Sequence, residues 1–132
     1  MSKTPASRNS RRRAAIASAI EAAPGPLSAG EILVRVRRQY PRLGIATVYR
    51  AVRALYRAGR ISPVLLSSGE TRYETAGMPH HHHFRCRKCQ AVFGMDGCPV
   101  RLPRDGALPG GFLVEAHELT LVGLCPDCAP AT

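Results

Sequence analysis

Two Cys-x-x-Cys pairs, Cys86 with Cys89 and Cys125 with Cys128, constrain this chain more than any other feature. Four thiolates suffice for a closed tetrahedral zinc site with Zn–S bonds of about 2.3 Å, and a closed site is structural, not catalytic. The segment between the pairs is longer than in a compact zinc ribbon. The ion is therefore expected to staple strands from the beginning and end of a small domain. Disulfides and an iron centre are the competing readings. The chain has no apolar run of the ~18 residues that mark a membrane span and no secretory signal, so a cytoplasmic location is expected, and with it metal ligation. The fifth cysteine, Cys98, reads as a buried apolar thiol.

His80, His81, His82 and His83 lead directly into the first pair, which puts six candidate ligands within ten residues. Imidazole and thiolate together suit zinc or a similar divalent metal. Successive side chains on an extended segment point to opposite faces, so His80 and His82 are expected on one side and His81 and His83 on the other. One run then serves two sites. His117 is expected in a late strand, joining one of the histidine pairs. Gln90 to Met95 and Phe112 to Leu124 read as strands, with Leu119 and Leu121 on one face. The Pro- and Gly-rich stretch from Cys98 to Gly111 has little helix potential.

Charge divides the chain. Residues 1–60 hold 13 Lys and Arg against Glu21 and Glu31, whereas residues 61–132 hold 6 against 7 acids. A basic half joined to a neutral half fits a nucleic-acid reader linked to a unit with another task. Residues 1–10 read as a disordered lead-in. A helix follows with Ile16, Ala19, Ile20 and Ala23 on its apolar face, ended by Pro24-Gly25-Pro26. A second opens with a capping box, Ser28 and Glu31, and buries Ile32, Leu33, Val36 and Tyr40. A third, about Ile45 to Ala58, sets Ile45, Val48, Val52 and Leu55 opposite Arg50, Arg53 and Arg57. One side packs and the other is cationic. Arg side chains and Tyr49 on that face suit base edges and phosphates, which makes this the recognition helix of a helix-turn-helix. Arg60 to Leu66, Ser67-Ser68-Gly69 and Glu70 to Glu74 then read as a hairpin wing, with Arg72 as a phosphate or minor-groove contact.

These features together resemble the ferric uptake regulator family. The matching residues are Leu27-Ser28-Ala29 with Ile32, Ala46-Thr47-Val48-Tyr49-Arg50-Ala51-Val52 with Leu55, Gly59, Tyr73-Glu74, the His80 to Cys89 stretch, and Gly111-Phe112 through His117, Leu119, Leu121, Gly123, Cys125 and Cys128. The resemblance implies a metal-dependent dimeric transcription factor. Its sensory site maps to Glu74, His81 and His83, its second site to His80, His82 and His117, and its structural zinc to Cys86, Cys89, Cys125 and Cys128. The DNA-contacting set is Thr47, Tyr49, Arg50, Arg53, Arg57 and Arg72. Pro26, Ser62, Ala76 and Arg101 stand where relatives often have a further ligand. The sensory set therefore draws a fourth donor from Ser62, water or elsewhere, and Asp96 and Asp105 are the carboxylates to consider for the second.

The expected fold is α+β: a winged helix-turn-helix domain at 11–76, a hinge and ligand segment at 77–83, and a small zinc-stapled α+β dimerisation domain at 84–132. The expected function is metal-switched repression, with structural Zn2+ and a second divalent ion, Zn2+ ahead of Fe2+. The partners are double-stranded operator DNA and a second copy of the chain, with no membrane and no small-molecule substrate. A zinc-stapled DNA-binding module that does not sense metal is the alternative. A zinc hydrolase built on three histidines with Glu74 or Glu118 as base is the remote one.

Overall fold

The computed structural model describes residues 7–131 and divides into two units, one ending at Gly77 and one beginning at Met78. In the first, α1 runs Arg8–Ala22, α2 Ala29–Val36 and α3 Ile45–Arg57, followed by a hairpin of β1, Ile61–Leu65, and β2, Thr71–Thr75. Helix α1 starts earlier than expected, because the Ser7 hydroxyl caps it by accepting from the Ser10 N–H. Residues 8–10 are thus helical rather than part of a lead-in, and the rest of that stretch, except Ser7, lies outside the described residues.

The capping box of α2 forms as its sequence requires. The Glu31 N–H donates to Ser28 Oγ and the Ser28 N–H to Glu31 Oε1, both at 3.1 Å. Ile16, Ile20, Ile32, Val36, Leu43, Val48, Val52, Leu55 and Ile61 form one core between the helices and the hairpin. Each such residue contributes about 1.5–3 kcal/mol relative to its exposed state, so this unit has an apolar basis for stability. Ile45 is an exception to the predicted stripe: it is exposed at the start of α3, and Ala51 takes a place in the core instead.

The hairpin is antiparallel, with Ser62 opposite Glu74 and Val64 opposite Arg72. Leu27 adds a bridge to Tyr73 through two backbone hydrogen bonds of 2.9 and 2.8 Å, tying the segment before α2 to the wing. Strand β2 turns two charged residues, Arg72 and Glu74, to its buried face. Arg72 is only 4% exposed, and its guanidinium lies 2.6 Å from Glu31 Oε1 and 3.3 Å from Glu70 Oε2. This overturns the reading of Arg72 as a DNA contact: a buried guanidinium already bound to two carboxylates does not reach a phosphate. Glu31 Oε1 both caps α2 and neutralises Arg72.

In the second unit, β3, His81–Cys86, is the central strand, flanked by β4, Val92–Asp96, and β7, Thr120–Gly123. Strands β3 and β4 pair antiparallel, but β3 and β7 run parallel. A parallel pair needs a long crossover, and residues 97–119 provide it. The crossover contains a two-residue ladder of β5, Ala107–Leu108, with β6, Phe112–Leu113. It closes where Val114 N–H donates to the Gly106 carbonyl at 2.8 Å; a Cβ on Gly106 would lie 2.5 Å from the Val114 oxygen, so only glycine fits. His81, His82 and His83 belong to a strand, the extended form in which their alternation was read, and His117 lies in the crossover before β7 rather than in a strand.

Among the described residues of this unit, the buried hydrophobic side chains are Cys86, Val92 and Cys125, joined by buried His82. So small an apolar core does not hold a unit of this size together by itself. Phe112, Leu113 and Val122 are more than half exposed. No helix among the described residues is long and apolar enough to cross a membrane.

Replacing Arg72 by Ala is expected to destabilise the first unit by about 1–3 kcal/mol in urea titration, mainly through lost packing, since Glu31 and Glu70 are 39% and 42% exposed and can be rehydrated. The salt dependence of DNA binding by the folded protein should not change; a slope reduced by about one would return Arg72 to the DNA contacts.

Candidate metal centres and nucleic-acid interface

The β3–β7 pairing positions two ligand clusters. Because the strands are parallel and Cys86 pairs with Gly123, the Cys-x-x-Cys segments that follow each strand emerge at the same end. Cys86, Cys89, Cys125 and Cys128 present their Sγ atoms within 4.8 Å of one another. Cys89 Sγ and Cys125 Sγ are 3.8 Å apart. Four Zn–S bonds of about 2.3 Å in a tetrahedron give edges of about 3.8 Å, so the spacing fits zinc and is far too long for a disulfide.

The first thiolate turn is built by the backbone. Gln90 adopts a left-handed conformation, φ 63°, and its N–H donates to the Cys86 carbonyl at 2.9 Å. The Cys89 N–H points at Cys86 Sγ from 3.5 Å. In the second pair, the N–H groups of Cys128 and Ala129 both donate to the Cys125 carbonyl. Backbone N–H groups of Cys125 and Cys89 hold the Cys86 thiol down to about 6, against the opposing effect of burial. Cys128 is pushed up to about 12, first by the Cys125 thiol and then by burial. One thiolate is ready at neutral pH, and Cys128 must give up a proton to become a ligand.

At the opposite end of β3, alternation sorts the histidines. The His80 and His82 rings lie 4.5 Å apart on one side, and the His81 and His83 rings 5.0 Å apart. His117 joins the first pair, with its Nε2 3.2 Å from His82 Nε2, while His80 Nε2 approaches the same atom at 3.0 Å. Burial, then the neighbouring His80 and His117, lower the pKa of His82, which favours the neutral imidazole that a metal requires. Cys98, read from sequence as a buried apolar thiol, is exposed and sends its Sγ to 3.1 Å from His82 Nε2 and 3.2 Å from His117 Nε2. Asp105, one of the two carboxylates considered, instead accepts the Ala107 N–H at 3.1 Å, and Asp96 is absent from the cluster. Glu74 sits buried on β2 in the first unit, with Ser62 as its cross-strand neighbour.

The third site is a surface. Helix α3 buries Val48, Ala51, Val52 and Leu55 and leaves Tyr49, Arg50, Arg53, Tyr56 and Arg57 exposed. Arg50 Nη2 donates to Thr47 Oγ1 at 3.2 Å, which presets its direction near the helix start. Tyr49, Arg53 and Tyr56 line an open groove that continues to Thr71 on the wing. Tyr56 and Thr71 were not among the sequence-predicted contacts. Tyr56 is one turn beyond Arg53 and is 59% exposed, which the helical period alone would have shown.

A helix-turn-helix with a wing and a cationic third helix, followed by a unit organised by metal-ligand clusters, defines a DNA-binding transcriptional regulator and not an enzyme. The comparisons agree. Residues 5–122 match the model of the ferric uptake regulator family. The ferric uptake regulation protein of Campylobacter jejuni is 32% identical over 102 residues, a match that spans 74% of this chain and, at 64%, slightly less than two thirds of that protein's length. The zinc uptake regulation protein of Mycobacterium tuberculosis is 30% identical over 122 residues, covering 92% of this chain and 94% of the relative. Among solved structures, a zinc-bound manganese uptake regulator superposes with a TM-score of 0.69 at 28% identity, covering 95% of this chain and 91% of the other. The chain belongs to the ferric uptake regulator family, whose members are metal-responsive transcriptional regulators.

Replacing Cys86 by Ser is expected to unfold the second unit, since few apolar contacts replace the lost ligand. His81→Ala should leave it folded, as judged by backbone amide dispersion in NMR spectra; equal collapse of both variants would contradict the separation of the two roles. Because thiols bind zinc as thiolates, zinc uptake by the metal-free protein should release protons and tighten as pH rises. Calorimetry in buffers of different ionisation heat reads that release, and identical heats in all buffers would refute it.

Proposed function

We propose that this protein is a homodimeric repressor whose binding to double-stranded operator DNA is switched on by a divalent metal, with zinc ahead of iron. The observation that carries the reading is that a helix with an exposed row of arginines shares one short chain with two distinct ligand clusters on a single strand. Thr47, Tyr49, Arg50, Arg53 and Arg57 form the DNA-reading set, with guanidinium groups available for guanine edges or phosphates. Cys86, Cys89, Cys125 and Cys128 hold the structural zinc. The spacing of the four thiols and the scarcity of apolar core in that unit support this role.

Glu74, His81 and His83 are the proposed sensory ligands. Glu74 precedes the short linker 76–80 and the two histidines follow it, so shared ligation would restrict that linker. A bound divalent ion supplies charge and directional bonds there, without redox chemistry if it is zinc. In a dimer, the linker conformation sets the separation of two recognition helices, and only one separation fits half-sites about one helical turn apart. Ligation then becomes differential affinity for DNA, with a coupling of about 1–3 kcal/mol, or roughly 5–150-fold. Zinc leads iron because two imidazoles and one carboxylate suit a four-coordinate ion; the relatives' names, iron, zinc and manganese, do not decide it. His80, His82 and His117 form a second site. Exposed Phe112, Leu113 and Val122, the last on edge strand β7, support self-association through the second unit. Free thiols arranged for ligation support action in the cytoplasm, where thiols stay reduced.

Operator binding should fall when a chelator too weak to take the thiolate-bound zinc is added, and return when metal is restored. Unchanged affinity would leave a static zinc-stapled module, for which one zinc per chain is the expected metal count. Arg50→Ala and Arg53→Ala should each weaken operator binding by about 1–3 kcal/mol in fluorescence anisotropy. Full retention of affinity and sequence preference would mean that α3 does not read the DNA.

A further inference from the structure

We propose that Cys98 is a metal ligand, and that with His80, His82 and His117 it forms a closed site of three nitrogens and one sulfur that selects zinc-like thiophilic ions. This deepens, and rests on, the assignment of the three histidines as a second site. All four ligand atoms lie within 4.8 Å of one another. The four short separations are His80–His82 at 3.0 Å, His82–Cys98 at 3.1 Å, and His82–His117 and Cys98–His117 at 3.2 Å. Tetrahedral Zn–N bonds of about 2.05 Å and a Zn–S bond of about 2.3 Å give edges of about 3.3 and 3.6 Å. Four of the six edges are slightly shorter than that figure, and the two from His80 to Cys98 and His117 lie within 4.8 Å.

Hydrogen bonding alone does not account for it. His82 Nε2 faces two other imidazole nitrogens and a thiol, yet one ring nitrogen carries at most one proton or one lone pair. His82 is 2% exposed, so water does not relieve the convergence. The Sγ atom of Cys98 also lies 3.4 Å from the Val100 carbonyl, a weak contact for a thiol that the thiolate form would give up. A shared cation satisfies all four atoms together.

The donor set fixes the chemistry. Three neutral imidazoles and one thiolate favour zinc and cobalt, and disfavour manganese, which prefers oxygen ligands. With four protein donors, no coordination position is left for a substrate. The ligands also stand at both ends of the crossover, Cys98 after β4 and His117 before β7, and two lie on or beside β3. Occupancy would therefore tie both ends of the loop that bears Phe112 and Leu113 to the central strand.

The test uses the full chain with its four-thiolate site filled by zinc, titrated with Co2+ and followed by absorption spectroscopy. The expected result is the visible band of tetrahedral cobalt together with near-ultraviolet thiolate-to-cobalt charge transfer of single-sulfur intensity. Cys98→Ser should remove the charge transfer and weaken cobalt binding at this site by more than about 100-fold, the upper end of the cost of losing a residue that merely supports a ligand. Mn2+ in excess should not displace the cobalt. Charge transfer that persists in Cys98→Ser would come from the four-thiolate cage and overturn the proposal. A visible band without charge transfer in the unaltered protein would keep the histidine site and eliminate Cys98. Cobalt uptake indifferent to His82→Ala and Cys98→Ser alike would remove the histidine site itself.

Discussion

The parallel pairing of β3 with β7 is the constraint on which the second unit depends. Antiparallel strands would send their trailing segments to opposite ends of the sheet, and the two Cys-x-x-Cys turns would never meet. Running side by side from His83 opposite Thr120 to Cys86 opposite Gly123, the strands deliver four thiols to one end. The same register leaves His117, three residues before β7, beside His80 and His82 at the other. His82 and Cys86 are four residues apart, about 13 Å along an extended strand, so the two clusters do not share an ion.

The two units reach stability by different routes. The first has a core of Ile, Leu and Val from three helices and a hairpin, supplemented by one buried arginine whose charge is met by Glu31 and Glu70. The second has few buried aliphatic side chains among its described residues, and its four clustered thiols offer a metal-held alternative to an apolar core. The exposed arginines of α3 thus stand on a unit with its own apolar core, while the four-thiol cluster belongs to a unit with little of one. Under the proposed function, that division would let the metal state alter one unit without dissolving the other.

Much of this was legible in the chain. The capping box of Ser28 and Glu31, the opposed faces of α3 and the alternation of four histidines follow from local rules, and each appears in the structure. Arg72 was misread because β2 turns it inward to carboxylates, one on α2 and one at the hairpin tip; sequence spacing does not reveal that pairing. Cys98 was misread for a related reason. It stands at the start of a loop rich in proline and glycine, where no periodicity predicts direction, and its neighbours His82 and His117 are 16 and 19 residues away. Ser7 as a cap and Leu27 as a bridge partner likewise depended on partners that a scan for hydrophobic stripes overlooks.

Alternation along β3 has a consequence for how such a chain can change over time. Side chains on a strand return to the same face every second residue, so the assignment of His80 with His82, and of His81 with His83, depends on parity. Losing or gaining one residue between His83 and Cys86 would exchange the two histidine pairs between faces while leaving the thiol cage intact. A change of two residues would preserve both faces and only alter the strand's length. Homologous chains should therefore vary here in even steps, whereas the crossover that follows carries no such parity.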